Sequence, residues 1–157
     1  MIIEASTVIE ADLKTVWQTI SDVTCWKLWN TVLEDRSLDA HDSIVEGERL
    51  NFCIRPFTFP ITFEPEIQEV VYGERIVWTG QKYGIVARHE FHFNEVQGGI
   101  EVVSRETFRG LLVAFGGIYF FPRRRIRQLT VSLLEDLKKA VEKEYNARKE
   151  AGHEGSN

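Results

Sequence analysis

The N-terminal part of the chain has a strand-like segment followed by short helical segments. Residues 2–9 alternate weakly and are rich in Ile, Val and Thr, which predicts a first strand. Asp12 is a suitable N-cap for a short helix. The apolar residues of that helix fall at helical spacing and are Leu13, Val16, Trp17 and Ile20. A second short helical or turn-like piece follows, with Trp26 and Trp29 on one face if it is helical.

The middle of the chain changes to a period of two. Apolar and polar positions alternate through residues 49–54 and 57–64, which predicts two half-buried strands. Pro60 and Pro65 indicate an edge position or a bulge there. Residues 72–75 and 97–100 have the composition of tight hairpin turns. The remaining pattern predicts an antiparallel meander with strands near 66–72, 75–82, 85–97 and 100–110.

After Pro122 the period is helical again. One apolar stripe continues for more than five turns and consists of Ile126, Leu129, Leu133, Leu134, Leu137, Val141 and Tyr145. It predicts a long amphipathic C-terminal helix that lies on the sheet. We expect residues 1–150 to form one domain and residues 151–157 to be a flexible tail. Because strands and helices are segregated along the chain, the predicted class is α+β.

Composition narrows the classes of function. With 157 residues, 43% hydrophobic and 27% charged, the chain is of single-domain size and neither disordered nor collagen-like. A net charge of −5 argues against a surface built to coat nucleic acid. Cys25 and Cys53 are too few for a disulfide framework and lack zinc-site spacing, so we interpret them as free thiols. With no secretory signal and no apolar stretch of spanning length, we expect a cytoplasmic protein. The sequence has no Gly-rich phosphate loop and no His-Glu-x-x-His motif, so we expect no metal or cofactor.

Several short segments, in this order and spacing, resemble a known family. They are Val16-Trp17, Ile20-Ser21-Asp22, Trp29-Asn30, Arg75 to Gly80, His89 to Phe93, Glu106 to Gly110 and Leu134 to Lys138. From about residue 2 to residue 145 the chain resembles the START-like helix-grip superfamily (SRPBCC), and within it the polyketide cyclase/dehydrase family. It departs from that pattern at Thr31, where many relatives carry Pro, and in a longer, more aromatic stretch at 111–127.

The resemblance implies a particular fold and a range of functions. The implied fold is a curved antiparallel sheet of about seven strands wrapped around the C-terminal helix, with two short helices after the first strand. The resemblance also implies an apolar cavity between sheet and helix. Members of the family bind sterols, lipids, polyketides, quinones or other hydrophobic molecules, and some catalyse cyclisation or dehydration. The fold alone does not choose among these roles.

The predicted hairpin at Gly98-Gly99 determines which side chains share a face. If Gln97 pairs with Ile100, the facing pairs are Phe93 with Ser104, Phe91 with Glu106 and His89 with Phe108. All six lie on one apolar face with Ile85, Ala87, Ile100 and Val102. The opposite face is predicted to be the solvated convex side and carries Arg88, Glu90, His92, Arg105, Thr107 and Arg109.

His89 and Glu106 are the ionisable residues on this inward face. We predict them to be diagonal neighbours, and a carboxyl among phenylalanines should have a raised pKa. One interpretation is an acid/base pair that acts on a bound carbonyl compound, with the imidazole sharing the carboxyl proton. The other is structural: both residues anchor the C-terminal helix, or Glu106 meets an arginine at the cavity edge.

The predicted ligand-binding wall combines aromatic strand residues with the helix stripe. Its members are Phe52, Trp78, Phe91, Phe93, Phe108, Leu133 and Leu137. Trp78 alternates with Gly80, which leaves space beside it. Trp78 therefore either stacks on a ligand or is ordinary core. Trp26 and Trp29 either form part of the entrance or fasten the short helices to the sheet.

Four arginines lie at the start of the long helix, after an aromatic run. Arg123, Arg124, Arg125 and Arg127 oppose the helix dipole, so they favour an anionic partner. One interpretation is a peripheral contact with anionic lipid. The alternative is that they pair with carboxylates of the protein beside a hydrophobic flap.

Three functions follow from these patterns. The first is binding or transport of a small hydrophobic ligand, such as a lipid, quinone or polyketide-like molecule. The second is a polyketide cyclase/dehydratase-type enzyme that uses His89 and Glu106. The third is a protein-interaction module. In each case we expect a monomer or homodimer that does not bind nucleic acid.

Overall fold

A computed structural model gives the fold of the chain and describes residues 1–34, 44–56, 58–110 and 123–154. Strand β1 (Ile2–Ile9) leads into helix α1 (Leu13–Ser21), a 3₁₀ turn (Val23–Cys25) and helix α2 (Trp26–Trp29). Asp12 caps α1 by accepting a hydrogen bond of 2.7 Å from the backbone N–H of Thr15. The strands that follow are β2 (Phe52–Ile54), β3 (Ile61–Phe63), β4 (Glu66–Val71), β5 (Arg75–Lys82), β6 (Ile85–Val96) and β7 (Gly99–Arg109). Helix α3 (Arg123–Glu154) ends the described chain.

The strands form two antiparallel sheets. Five of them make one sheet in the order β1-β7-β6-β5-β4, and β2 pairs with β3. The predicted α+β class is confirmed, and the seven strands found in the described residues are divided 5 and 2 rather than joined in one sheet. Pro60 and Pro65 flank β3, and proline has no N–H with which to extend a ladder. Residues 47–50 instead run along the edge of β4, where Leu50 N donates to Pro65 O at 2.9 Å.

The β6–β7 register differs from the predicted one by two residues. Val96 pairs with Gly99 around a two-residue turn, so that His89 faces Glu106, Phe91 faces Ser104 and Phe93 faces Val102. Gly99 is the first residue of β7, and β1 passes close to it. A Cβ there would lie 2.0 Å from the carbonyl oxygen of Ile9, and its φ of +151° also favours glycine. Since the shift is an even number, every side chain keeps its predicted face.

Helix α3 covers the inward face of the sheet and packs on β1, α1 and β7. Leu134, Leu137 and Val141 of its apolar stripe are fully buried with Phe91 and Ile76. The helix continues to Glu154, four residues into the segment predicted to be a tail. Residues 155–157 lie outside the described part. Among the described helices, none is long and apolar enough to cross a membrane.

Candidate ligand-binding site

A cavity of about 330 Å³ lies between the inward face of the sheet, the β2–β3 pair, α2 and α3. Six of the seven predicted wall residues line it: Phe52, Trp78, Phe91, Phe108, Leu133 and Leu137. Phe93 lies elsewhere. Its ring packs edge-on against Trp17, with centroids 5.3 Å apart, on the side of the core that faces α1. The inward face of β6 therefore supplies both cavity wall and closed core.

Aromatic rings form a continuous row along this wall. Trp78 contacts His89 (5.0 Å between centroids), Phe91 (5.2 Å) and Trp26 (6.1 Å), and Trp26 contacts Trp29 (6.3 Å). Trp26 also donates its indole N–H to the carbonyl oxygen of Ile20 at 2.9 Å. Trp26 thus connects α2 to the end of α1, contacts the sheet through Trp78 and lines the cavity. Gly80 lines the cavity beside this row.

His89 is held as a neutral ring in the wall. It stacks on Phe91 with centroids 4.3 Å apart, and its Nε2 lies 2.7 Å from Ser104 Oγ. Burial lowers the pKa of His89 from its ordinary 6.5 to about 3, because the charged form loses its solvation. The imidazole is therefore uncharged at neutral pH.

Ser104 determines which nitrogen of His89 carries the proton. Ser104 is fully buried, and among the described residues its hydroxyl has Nε2 as its side-chain partner. A buried hydroxyl hydrogen without an acceptor is costly, so Ser104 donates to Nε2. The neutral ring then carries its hydrogen on Nδ1. Because His89 lines the cavity, Nδ1–H is a donor available to a bound molecule.

Glu106 lies opposite His89 and reaches the helix. Its Oε1 is 2.8 Å from Thr130 Oγ1, which is also 3.0 Å from the carbonyl oxygen of Ile126. Burial raises the pKa of Glu106 from 4.5 to about 7. Thr130 has one hydroxyl hydrogen for two acceptors. When Glu106 is protonated, its O–H donates to Thr130 Oγ1, and the hydroxyl of Thr130 is then free to donate to the carbonyl oxygen of Ile126. All three groups are then hydrogen-bonded.

His89 and Glu106 do not form the shared-proton pair predicted from the sequence. They are direct rather than diagonal neighbours, yet each is hydrogen-bonded elsewhere, His89 to Ser104 and Glu106 to Thr130. Glu106 contacts α3, as the structural alternative predicts, and its partner there is a threonine rather than an arginine. The two residues therefore act as separate groups, one a neutral N–H donor and the other a carboxyl that titrates near neutrality.

The four arginines of α3 lie close to one end of the cavity. Arg123, Arg124, Arg125 and Arg127 are exposed, and Ile126 between them lines the cavity. The first turn of α3 contains no acidic residue. The wall also includes two exposed aromatic side chains, Phe59 (54% exposed) and Tyr83 (70% exposed). The predicted flap in residues 111–122 lies outside the described residues.

Sequence reasoning assigned no role in the site to three polar residues: Ser104, Thr130 and Asn30. Thr130 interrupts the apolar stripe four residues after Ile126, and Ser104 interrupts the apolar face of β7. A lone polar residue at a core position is the signal that would have found both. Asn30 follows α2 and is of a residue type common in turns, yet it is buried and lines the cavity.

Comparison with known proteins agrees with this geometry. A family model described as "Polyketide cyclase / dehydrase and lipid transport" matches residues 1–142. No curated protein matches the sequence. A crystal structure of the protein TTHA0849 from Thermus thermophilus is similar, with a TM-score of 0.71 and 18% identity over 90% of this chain and 97% of that one.

Two further structures share the fold. The Helicobacter pylori protein jhp0584 has a TM-score of 0.65 at 16% identity, covering 90% of this chain and 88% of that one. DynU16, a protein of the dynemicin biosynthetic locus, has a TM-score of 0.65 at 12% identity, covering 90% of this chain and 47% of that one. At identities this low, the structural similarity shows a common fold and does not identify the ligand of this chain.

Proposed function

This chain belongs to the polyketide cyclase/dehydrase and lipid transport family, and on that premise we propose that it binds a small hydrophobic molecule between the sheet and α3. The cavity is the observation that carries the proposal. At about 330 Å³ it lies at the lower end of the roughly 300–1,000 Å³ typical of ligand pockets. Its wall is mostly aromatic and aliphatic, and a few polar groups interrupt it, which is the usual composition of a small-molecule site.

The polar groups favour an uncharged ligand with a hydrogen-bond acceptor. His89 offers Nδ1–H, and protonated Glu106 offers a second donor when it turns from Thr130. Lys82 is the one cation among the described lining residues, and its ammonium group donates to the carbonyl oxygen of Thr62. A ligand carboxylate beside Glu106 would place two acids together without a cation. A carbonyl oxygen is therefore the group that this part of the wall fits best.

Filling the cavity tests the proposal. Leu133 lines the cavity from α3, and Leu133→Trp is expected to place its larger ring in the empty volume. Affinity for 2-acetylnaphthalene should fall at least about tenfold, since the probe loses the space it occupies, while thermal stability changes little because an existing void is filled. Isothermal titration calorimetry and thermal unfolding measure the two effects.

Val131→Trp is the matched control. Val131 is 37% exposed on the same helix and is not part of the cavity wall. This variant should bind the probe as the wild type does. Equal affinity of all three proteins, or no binding of the probe to the wild type, would contradict the cavity proposal. Mass spectrometry of organic molecules extracted from the natively purified protein identifies the class of ligand independently.

An enzyme of the cyclase or dehydratase type is the second candidate, favoured by Glu106. A carboxyl whose pKa is about 7 is suited to accept and return a proton at neutral pH. His89, with a pKa of about 3, is a weak base and serves instead as a neutral donor that polarises a carbonyl. Proton exchange at a ligand carbon is the property that separates an enzyme from a carrier. The apolar cavity favours both small-molecule roles over a protein-interaction module.

We also propose that the cavity mouth contacts anionic lipid. Exposed arginines that flank the lining residue Ile126, together with the exposed aromatic lining residues Phe59 and Tyr83, support this proposal, because interfacial membrane binding combines cations with aromatic side chains. Arg125 Nε lies 3.4 Å from the carbonyl oxygen of Arg55, so Arg123, Arg124 and Arg127 are the better candidates for phospholipid headgroups. Such a contact would bring the cavity opening to the membrane surface.

Vesicle sedimentation tests the lipid contact. The wild type should bind vesicles of phosphatidylcholine with 30% phosphatidylserine, and added salt should weaken that binding. A triple Arg123/Arg124/Arg127→Gln variant should bind roughly 100-fold more weakly, at about 1 kcal/mol per basic residue. The control replaces three exposed lysines of the same helix by Gln: Lys139, Lys143 and Lys149. Equal losses in both variants, or equal binding to pure phosphatidylcholine, would rule out a specific contact.

A further inference from the structure

Asn30 is a buried amide whose orientation is fixed. It is 6% exposed and lines the cavity directly after α2. Its Oδ1 accepts a hydrogen bond of 3.0 Å from the backbone N–H of Val32. Only the oxygen of an amide can accept from an N–H, so this bond identifies Oδ1 and places the NH₂ group on the other branch of the side chain.

The NH₂ group of Asn30 has no protein partner among the described residues. Buried side-chain amides in folded proteins are nearly always hydrogen-bonded, so a donor without an acceptor is unusual. Asn30 lines the cavity, so a bound molecule can supply the missing acceptor.

The turn that holds Asn30 is fastened to α3. Both the backbone N–H and the hydroxyl of Thr31 donate to Asp136 Oδ2, at 2.9 and 2.5 Å. The backbone N–H of Asn30 donates to Trp26 O at 2.8 Å. A proline at position 31 would remove one of these bonds, since it lacks the N–H. The amide of Asn30 is thus held in place before any ligand arrives, which lowers the entropic cost of using it.

We propose that the NH₂ group of Asn30 donates a hydrogen bond to an acceptor oxygen of the ligand, as a second polar contact separate from His89 and Glu106. The row of rings from Trp29 through Trp26 and Trp78 to His89 connects the two polar ends. The ligand is therefore an apolar, ring-containing molecule with acceptor oxygens at two separated positions. This inference rests on the proposed ligand-binding function.

Three naphthalene probes separate the two polar ends from the apolar wall. 2-Ethylnaphthalene has no acceptor, 2-acetylnaphthalene has one carbonyl oxygen, and 2,6-diacetylnaphthalene has two at opposite ends of the ring system. The wild type should bind the diacetyl probe roughly 3- to 10-fold more tightly than the monoacetyl probe, the gain typical of one further hydrogen bond. Calorimetric titration at pH 6 gives each dissociation constant.

Two variants remove the NH₂ group. Asn30→Ala has no side-chain donor. Asn30→Ser keeps an oxygen that accepts from the Val32 N–H, on a side chain one atom shorter than that of Asn. In both, the affinity ratio of diacetyl to monoacetyl probe should fall to about 1, while 2-ethylnaphthalene binds as tightly as to the wild type. The unchanged ethyl probe shows that the cavity is intact in a variant.

The outcomes distinguish this inference from the proposed function. If all three probes bind the wild type but the diacetyl probe gains nothing, or if its gain persists in both Asn30 variants, Asn30 is not a ligand contact and the cavity proposal stands. If none of the probes binds the wild type, both proposals fail. A gain that disappears in the Asn30 variants and persists in Glu106→Gln assigns the second acceptor to Asn30.

Discussion

At pH 8, the Glu106→Gln variant is expected to be about 3 kcal/mol more stable to unfolding than the wild type. Burial raises the pKa of Glu106 from 4.5 to about 7, so the folded state binds the proton more tightly than the unfolded state does. The contribution of Glu106 to the free energy of unfolding therefore falls by about 1.4 kcal/mol per pH unit as the pH rises from 4.5 to 7. Above pH 7 this contribution is constant. Gln does not ionise, and its NH₂ group can donate to Thr130 as the protonated acid does.

Urea unfolding between pH 4 and pH 8.5 measures this difference. It should be close to zero at pH 4.5 and largest near pH 8. Glu135→Gln is the control, since Glu135 is an exposed carboxylate of α3. A difference between Glu106→Gln and wild type that does not change with pH would show that Glu106 has an ordinary pKa in the folded protein.

The same variant separates the two small-molecule roles. An enzyme that enolises its ligand should accelerate exchange of the acetyl methyl protons of 2-acetylnaphthalene with D₂O, as followed by NMR, and Glu106→Gln should abolish the acceleration. A carrier should bind the probe in both forms without accelerating exchange. Acceleration that survives in Glu106→Gln would remove Glu106 from any catalytic role.

As the pH falls from 6.5 to 3, His89 is expected to lower the free energy of unfolding by up to about 5 kcal/mol. Burial lowers the pKa of His89 from 6.5 to about 3, so the unfolded state binds the proton more tightly and acid favours unfolding. This loss starts below pH 6.5. Glu106 acts in the opposite direction down to pH 4.5, so the effect of His89 dominates below pH 4.5.

A double variant isolates the effect of His89. His89→Phe with Ser104→Ala keeps a ring on Phe91 and removes the hydroxyl that would otherwise lose its acceptor. Its acid-unfolding midpoint, followed by circular dichroism, should lie at a lower pH than that of the wild type. His92→Phe is the control, because His92 lies on the same strand and points to the opposite face. An unchanged midpoint in the double variant would contradict a buried neutral imidazole.

Most of the fold can be predicted from side-chain periodicity, because burial on one face of a strand or helix leaves a repeating pattern. His89, Phe91 and Glu106 share a face in any even register, so their common orientation survives an error of two residues in the turn. The turn is Gln97-Gly98, and the strand residue Gly99 that follows lies against the carbonyl oxygen of Ile9 in β1. That approach is a long-range contact, which local sequence does not encode.

The chemistry of the site is less predictable, because it depends on which partner each polar group finds. The inward position of Glu106 follows from alternation, whereas its bond to Thr130 joins residues 24 apart in sequence. Asn30 is a common turn residue by composition, and only the packing of α2 against α3 through Thr31 and Asp136 buries it. Phe93 shows the converse: a correctly predicted face does not determine which part of that face is hollow.

Because the row of rings contains tryptophans, the intrinsic fluorescence of the protein should report whether the cavity is occupied. Three of the four tryptophans, Trp26, Trp29 and Trp78, line the cavity, whereas the fourth, Trp17, packs against Tyr72 and Phe93. With centroids of neighbouring indoles 6.1 and 6.3 Å apart, excitation can pass along the row. A bound ligand that quenches the fluorescence of one of these tryptophans would also lower the fluorescence of its neighbours. The emission of Trp17 would then serve as an internal reference.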